Sequence, residues 1–288
     1  ILALATNLFA AKPGDWPQWR GANSDGISQE KGLLTEWPDG GPKVDWQIDT
    51  IGDGYSSLAI VDGRIFTLGN VDGEGRILCL KESDGSVIWS VHPPRETSLY
   101  KHGKGDGARG TPTVDNGLVY VEGGGGDVTC LKAETGDVVW SKHLKDDFGG
   151  SVPGWGFSES PLIDGDRVII TPGGSDGAVV ALNKLTGDVI WRSANVGDKA
   201  HYCTAVIAES HGVRQVITFT GGIGGKKDPG APPRVIGLDA ETGDLLWSYD
   251  KSANRTANVS TPLFHNNAVF SASAYGTGGG LARLTKSD

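Results

Sequence analysis

Short apolar runs alternate with polar turns along most of the chain. The run Cys130–Ser141, CLKAETGDVVWS, is one complete unit. An apolar strand leads into Glu134-Thr135-Gly136-Asp137, and a second strand ends on Trp140. Gly136 supplies the positive φ that closes such a turn. Trp140 needs a packed site with an acceptor for its N–H, and one hairpin cannot bury it. Neighbouring copies are therefore required. The unit recurs from Leu80 (LKESDGSVIWS), Leu131 (LKAETGDVVWS), Leu182 (LNKLTGDVIWR) and Leu238 (LDAETGDLLWS), and it begins again at Leu284.

A second hairpin precedes each unit, starting near Ser56, Gly110, Glu159, Cys203 and Ser260. In each, a turn rich in Asp, Gly or Asn separates a short strand from a second strand rich in Val, Ile, Phe or Tyr. One repeat is thus four short strands in about 50 residues, the size of a propeller blade. A β-sandwich would not repeat a Trp at 46, 89, 140, 191 and 247. Gly turns and period-2 runs exclude a helical solenoid. The expected fold is all-β, a β-propeller of four-stranded antiparallel blades with Trp cassettes. Four to five of seven or eight blades are present, as an open arc that exposes apolar surface at its ends.

The blades are expected at about 56–91, 110–142, 158–193 and 203–249, with a partial one at 259–288. Within the propeller region 43–288, residues 43–49 look like an outer strand without its partner, the one that would close the ring. About three further repeats are expected beyond this sequence. Residues 12–42 form an irregular Trp-rich segment over the folded body. Residues 1–11, ILALATNLFAA, resemble the end of a signal peptide, so export to the periplasm is expected.

Composition narrows the function classes. Gly is 45 of 288 residues, about twice its usual share, which suits a turn-rich β protein. The net charge of −9 argues against a nucleic-acid or anionic-membrane surface. No apolar run is long enough for a transmembrane helix. These features predict a monomer. Three cysteines, 79, 130 and 203, allow at most one disulfide and read as small apolar fillers. The six His have no zinc-ligand spacing, and Gly221–Lys227 lacks the hydroxyl residue of a phosphate loop.

In a propeller, the segments ahead of the inner strands line one mouth of the central channel. Aligning the repeats on Ser57, Thr111, Ser160, Thr204 and Thr261 places Tyr55, Arg109, Glu159, His201, Tyr202 and Asn258 there. Trp155, in the long connection before Glu159, could stack on a planar ligand. A cation, a carboxylate, an imidazole and phenols converging on one opening suit a polar ligand.

The pattern Leu-x-Ala-x-Thr-Gly-x-x-x-Trp, clearest at Leu131–Trp140 and Leu238–Trp247, resembles the pyrroloquinoline-quinone-like repeat family. That repeat occurs in quinoprotein alcohol dehydrogenases and in the propeller lipoprotein of the outer-membrane barrel-assembly machinery. The opening WPQWRG and Gly54-Tyr55-Ser56-Ser57 are similar to a bacterial exported subgroup named by likeness to polyvinyl-alcohol dehydrogenase. The resemblance implies either of two roles. One is a scaffold that binds an envelope protein or a small molecule at its channel face, with no catalysis of its own. The alternative is an alcohol dehydrogenase using pyrroloquinoline quinone and calcium. In that case Glu159 is the acid or metal ligand, Asn258 an amide ligand, and Arg109 the partner of the quinone carboxylates. The adjacent cysteine pair of those enzymes is missing here, so no cofactor is assigned. A third reading is capture of extended peptides along a blade edge.

Overall fold

The computed structural model describes residues 12, 14–95, 106–223 and 230–286. The proposed leader and Lys226-Lys227 lie outside them. The described chain is all-β: nineteen strands in five antiparallel sheets that form an open arc. Sheet 1 holds β1 (Ala59–Val61), β2 (Arg64–Val71), β3 (Glu74–Lys81) and β4 (Val87–Val91). Sheet 2 holds β5 (Thr113–Asp115), β6 (Leu118–Glu122), β7 (Asp127–Lys132) and β8 (Val138–His143). Sheet 3 holds β9 (Leu162–Asp164), β10 (Arg167–Ile170), β11 (Val180–Asn183) and β12 (Val189–Arg192). Sheet 4 holds β13 (Val206–Ser210), β14 (Val213–Thr220), β15 (Arg234–Asp239) and β16 (Leu245–Tyr249). Sheet 5 has three strands among the described residues: β17 (Leu263–His265), β18 (Ala268–Ser273) and β19 (Gly278–Arg283).

Each sheet is a meander in chain order, joined by short turns except where residues 171–179 link β10 to β11 and residues 221–233 link β14 to β15. Two-residue turns such as Asp62-Gly63 and Asn116-Gly117 have both residues at positive φ, which matches the twist of the flanking strands. The inner strands of a middle blade are buried on both faces, so β10 is apolar from Val168 to Ile170, whereas the outer strand β12 leaves Val189 and Ile190 exposed. Val168, Ile169 and Ile170 of β10 are all buried. The even face of that strand packs with Tyr120, Val128 and Cys130 of sheet 2. Ile169 packs the other way, with Val216, Ile236 and Leu238 of sheet 4.

The repeated Trp is the seam between blades. Trp89 Nε1 donates to the Ala133 carbonyl at 3.1 Å, Trp140 to Lys184 at 2.9 Å and Trp191 to Ala240 at 3.1 Å. Each acceptor lies in the Thr-Gly turn region of the next blade. The ring sits on that turn's Gly: a Cβ on Gly187 would be 2.9 Å from the Trp140 ring. The Gly therefore serves two ends, a positive φ and room for a neighbour's indole. Gly243 is the tightest seat, with φ 77° and a Cβ position 2.5 Å from Trp191. Gly243→Ala should lower stability by about 2–3 kcal/mol through strain and overpacking. Denaturant unfolding checks this, and an exposed turn glycine such as Gly63, with open space around its Cβ, is the reference.

Residues 43–49 pair with no strand ladder, yet Trp46 repeats the seam. Its Nε1 donates to the Glu82 carbonyl at 2.9 Å, and its ring lies on Gly85. With Ile48 and Ile51 it covers Ile65, Leu78 and Leu80 of sheet 1. The far end of the arc is open. Phe270 pairs with Leu263 at the third rung from its turn, as Phe66 pairs with Ala59 and Tyr120 with Thr113. Phe66 and Tyr120 are fully buried by the next blade, whereas Phe270 is 45% exposed. Leu263 and Leu281 beside it are exposed too.

The N-terminal segment crosses the inner edges of the blades. Trp16 exchanges backbone bonds with Ile60, and Pro17 accepts from the Val114 N–H. Trp19 Nε1 reaches Thr261 Oγ1 at 3.2 Å. Trp16 and Trp19 thus anchor the segment, while Trp37 stays largely exposed.

Candidate functional site at the channel mouth

Hydroxyl groups tie the starts of successive blades together. Ser56 Oγ donates to the Gly110 carbonyl, the Thr111 N–H to Ser160 Oγ (2.9 Å), and the Ser160 N–H to Thr204 Oγ1 (3.0 Å). The sequence needs small polar residues here because the inner strands converge. A backbone donor that β pairing leaves unused must find a side-chain acceptor. Thr111, Ser160 and Thr204 form the floor of a cavity of about 400 Å³.

Rings wall that cavity: Trp19, Tyr55, Trp155, Tyr202 and Tyr275. Arg109 joins them, its guanidinium 4.6 Å from the Tyr55 ring centroid in a cation–π contact. Trp155 meets Tyr202 edge-on at 5.7 Å. A second cavity of about 600 Å³ lies beyond that pair, bordered by His201, Lys199 and Arg255. His201 Nδ1 accepts the Asn258 N–H at 2.9 Å, so its proton sits on Nε2. Burial pushes its pKa down to about 4, and the ring is neutral at pH 7.

Of the residues singled out in the sequence, Tyr55, Arg109, Trp155 and Tyr202 therefore meet around one cavity, with His201 behind them. Glu159 and Asn258 do not border it. The Glu159 carboxylate is buried and accepts the Thr171 N–H. The Asn258 side chain is spent on its own loop and on the end of β18: Oδ1 accepts from Asn254 N and Ser273 Oγ, and Nδ2 donates to Asn254 O. The oxygens that a calcium ion would need are turned away from the ring cavity, so Glu159 and Asn258 do not fit that metal there. Cys79, Cys130 and Cys203 are free and buried. Burial raises their thiols to about 11, 12 and 12, which keeps them protonated at neutral pH. Sequence reasoning missed Trp19 and Tyr275 as walls. Trp19 arrives from a segment outside the repeat, and Tyr275 from the turn after β18, so neither shares a register with the aligned residues.

Comparison with known proteins agrees with the repeat and the fold. Residues 73–285 match the sequence model of the PQQ_2 family, described as outer membrane protein assembly factor BamB. The chain belongs to the PQQ_2 family. Outer membrane protein assembly factor BamB of Yersinia pestis is 24% identical over 245 residues, which are 81% of this chain and 52% of that protein. Quinoprotein ethanol dehydrogenase of Pseudomonas aeruginosa is 27% identical over 173 residues, 58% of this chain and 27% of that one. The chain thus spans about half or less of the length of these PQQ_2 relatives. Among solved structures, quinohemoprotein alcohol dehydrogenase of Comamonas testosteroni superposes with a TM-score of 0.65 at 16% identity, covering 94% of this chain and 46% of that one. That likeness shows the propeller fold.

Proposed function

We propose that this PQQ_2 chain belongs to an exported envelope propeller that binds a small ligand, or a short segment of a partner protein, at its channel mouth, and is not itself catalytic. The ring-walled cavity over a hydroxyl floor is the observation that carries this reading. Rings supply apolar contact at small conformational cost, Arg109 favours an anionic group, and the hydroxyls set orientation. The family description as an assembly factor supports an envelope location and a protein partner.

A second reading has support of its own. The likeness to quinoprotein ethanol dehydrogenase favours a quinone-dependent alcohol dehydrogenase, with Arg109 facing the carboxylates of a planar quinone. The buried position of Glu159 weighs against it, since a general base must reach the proton it removes.

Titration with pyrroloquinoline quinone and calcium, followed by a dye-linked alcohol oxidation assay, separates the two. Binding without turnover, weakened about tenfold or more by Arg109→Ala, is the expected result for a small ligand. Turnover that disappears in Glu159→Gln would establish the dehydrogenase instead. If the quinone does not bind, a partner captured from envelope extracts should be released by Trp155→Ala. Failure of both arms refutes binding at this mouth.

A further inference from the structure

The cavity of about 600 Å³ beyond the Trp155–Tyr202 pair has a charge opposite to that of the chain. Among the described residues its lining holds Lys199 and Arg255 and no Asp or Glu, whereas the whole chain carries a net charge of −9. Asp198, the residue before Lys199, does not border it. Its carboxylate is fully buried and clamped by Arg234.

The two cations come from different connections and stand on fixed backbone. Lys199 lies between β12 and β13, and Arg255 between β16 and β17. The Lys199 N–H donates to the Gly222 carbonyl at 2.9 Å, and the Lys199 carbonyl accepts the Gly221 N–H at 2.7 Å. Asn254 Oδ1 accepts the Thr256 and Ala257 N–H groups at 2.8 and 2.9 Å, which holds the loop that carries Arg255. His201 ties the two connections together. Its Nδ1 accepts the Asn258 N–H, and the Tyr202 N–H donates to the Asn258 carbonyl at 3.3 Å. The other ring nitrogen, Nε2, carries the proton and is a donor. Lys199 and His201 stand side by side: a Cβ on Gly221 would lie 3.0 Å from the His201 ring and 3.2 Å from Lys199 Cβ.

A cleft lined by one sign of charge concentrates ions of the other sign. An ammonium, a guanidinium and an imidazole N–H are all donors, which suits an oxyanion and offers a cation no charged oxygen. We propose that this cavity is an anion site for the carboxylate or phosphate group of a small solute, held by Lys199 and Arg255 and hydrogen-bonded by His201 Nε2. Trp155 and Tyr202 border both cavities, so the anion site adjoins the ring-walled one. Arg109 serves that other cavity, and the inference does not depend on what is bound there. Burial keeps the His201 pKa at about 4, so the ring donates at pH 7 without adding a third cation. A bound anion favours the imidazolium and raises that value.

NMR of the histidine rings tests the site, with the His201 signals assigned by their loss in His201→Gln. The protein is titrated at pH 7 with sodium phosphate and, separately, with sodium malonate, sodium chloride holding the ionic strength constant. The expected result is a saturable shift of the His201 ring. Phosphate alone marks the solute as a phosphate compound, and malonate alone as a carboxylate. Lys199 and Arg255 are exposed, so Lys199→Ser and Arg255→Ser should fold, as thermal unfolding will show. Each should weaken binding about tenfold. No saturable shift with either anion, or undiminished binding in either variant, overturns the proposal. Should a variant not fold, the wild type decides. Saturation with the anion should move the His201 titration upward from about 4, and an unchanged value refutes the site. A response confined to the Trp19 and Tyr55 rings would put the anion beside Arg109 and would also refute it.

Discussion

Trp140→Ala lowers the unfolding free energy by about 3–5 kcal/mol, and Trp247→Ala by less than half as much. Trp140 is 8% exposed and lies between Tyr120, Val168 and Leu182, with ring centroids 6.2 Å apart from Tyr120. Truncation removes its burial, leaves a cavity in the sheet 2–3 seam, and takes from the Lys184 carbonyl the shorter of two bonds, the Tyr120 hydroxyl remaining. Trp247 occupies the same place in the repeat but has no such seat. Its Nε1 donates to Gln215 Oε1 in its own sheet at 2.7 Å, and its ring is only partly buried. Water can fill its place at little cost. Urea unfolding of the two variants gives the comparison directly. Equal losses would mean that the indole acts within its own hairpin and does not join blades.

Arg234→Ala should cost a similar amount, about 3–5 kcal/mol. The Asp198 side chain is fully buried, and Arg234 clamps it with Nε and Nη2, each at 2.9 Å from a carboxylate oxygen. Among the described residues Thr220 Oγ1 is the remaining side-chain donor. Without the guanidinium a buried carboxylate keeps one hydroxyl, far too little to replace its hydration. Arg234→Lys should fall between, because an ammonium cannot reproduce the two-pronged geometry. The effect reaches the ring cavity. Asp198 lies in the connection that carries His201 and Tyr202, and its carbonyl accepts the Gly174 N–H. Thermal unfolding measures the loss. A change within about 0.5 kcal/mol, as at ordinary surface sites, would show the pair to be solvated and unimportant.

Much of the candidate site was legible in the sequence, since repeat alignment brought Tyr55, Arg109 and Tyr202 to one opening. The alignment failed where side-chain direction mattered. Glu159 stands one residue before Ser160, and adjacent residues at a strand start point to opposite sides. Ser160 therefore faces the cavity while Glu159 turns into the seam. Asn258 failed for a different reason: short polar side chains in loops bond to nearby backbone, and its neighbours Asn254 and Ser273 claimed its amide.

By itself the amino-acid order determined the blades. Period-2 apolar runs, turns able to take positive φ and a Trp at fixed spacing are local properties, and each hairpin repeats them independently. Only the tertiary structure decided what those residues meet. It seated Trp46, Trp89, Trp140 and Trp191 on the next blade's Gly, left Phe270 bare at the open end of the arc, and brought Trp19 and Tyr275 to the rim of the cavity. Such pairings join residues far apart in the chain, and the packing geometry of whole sheets selects them.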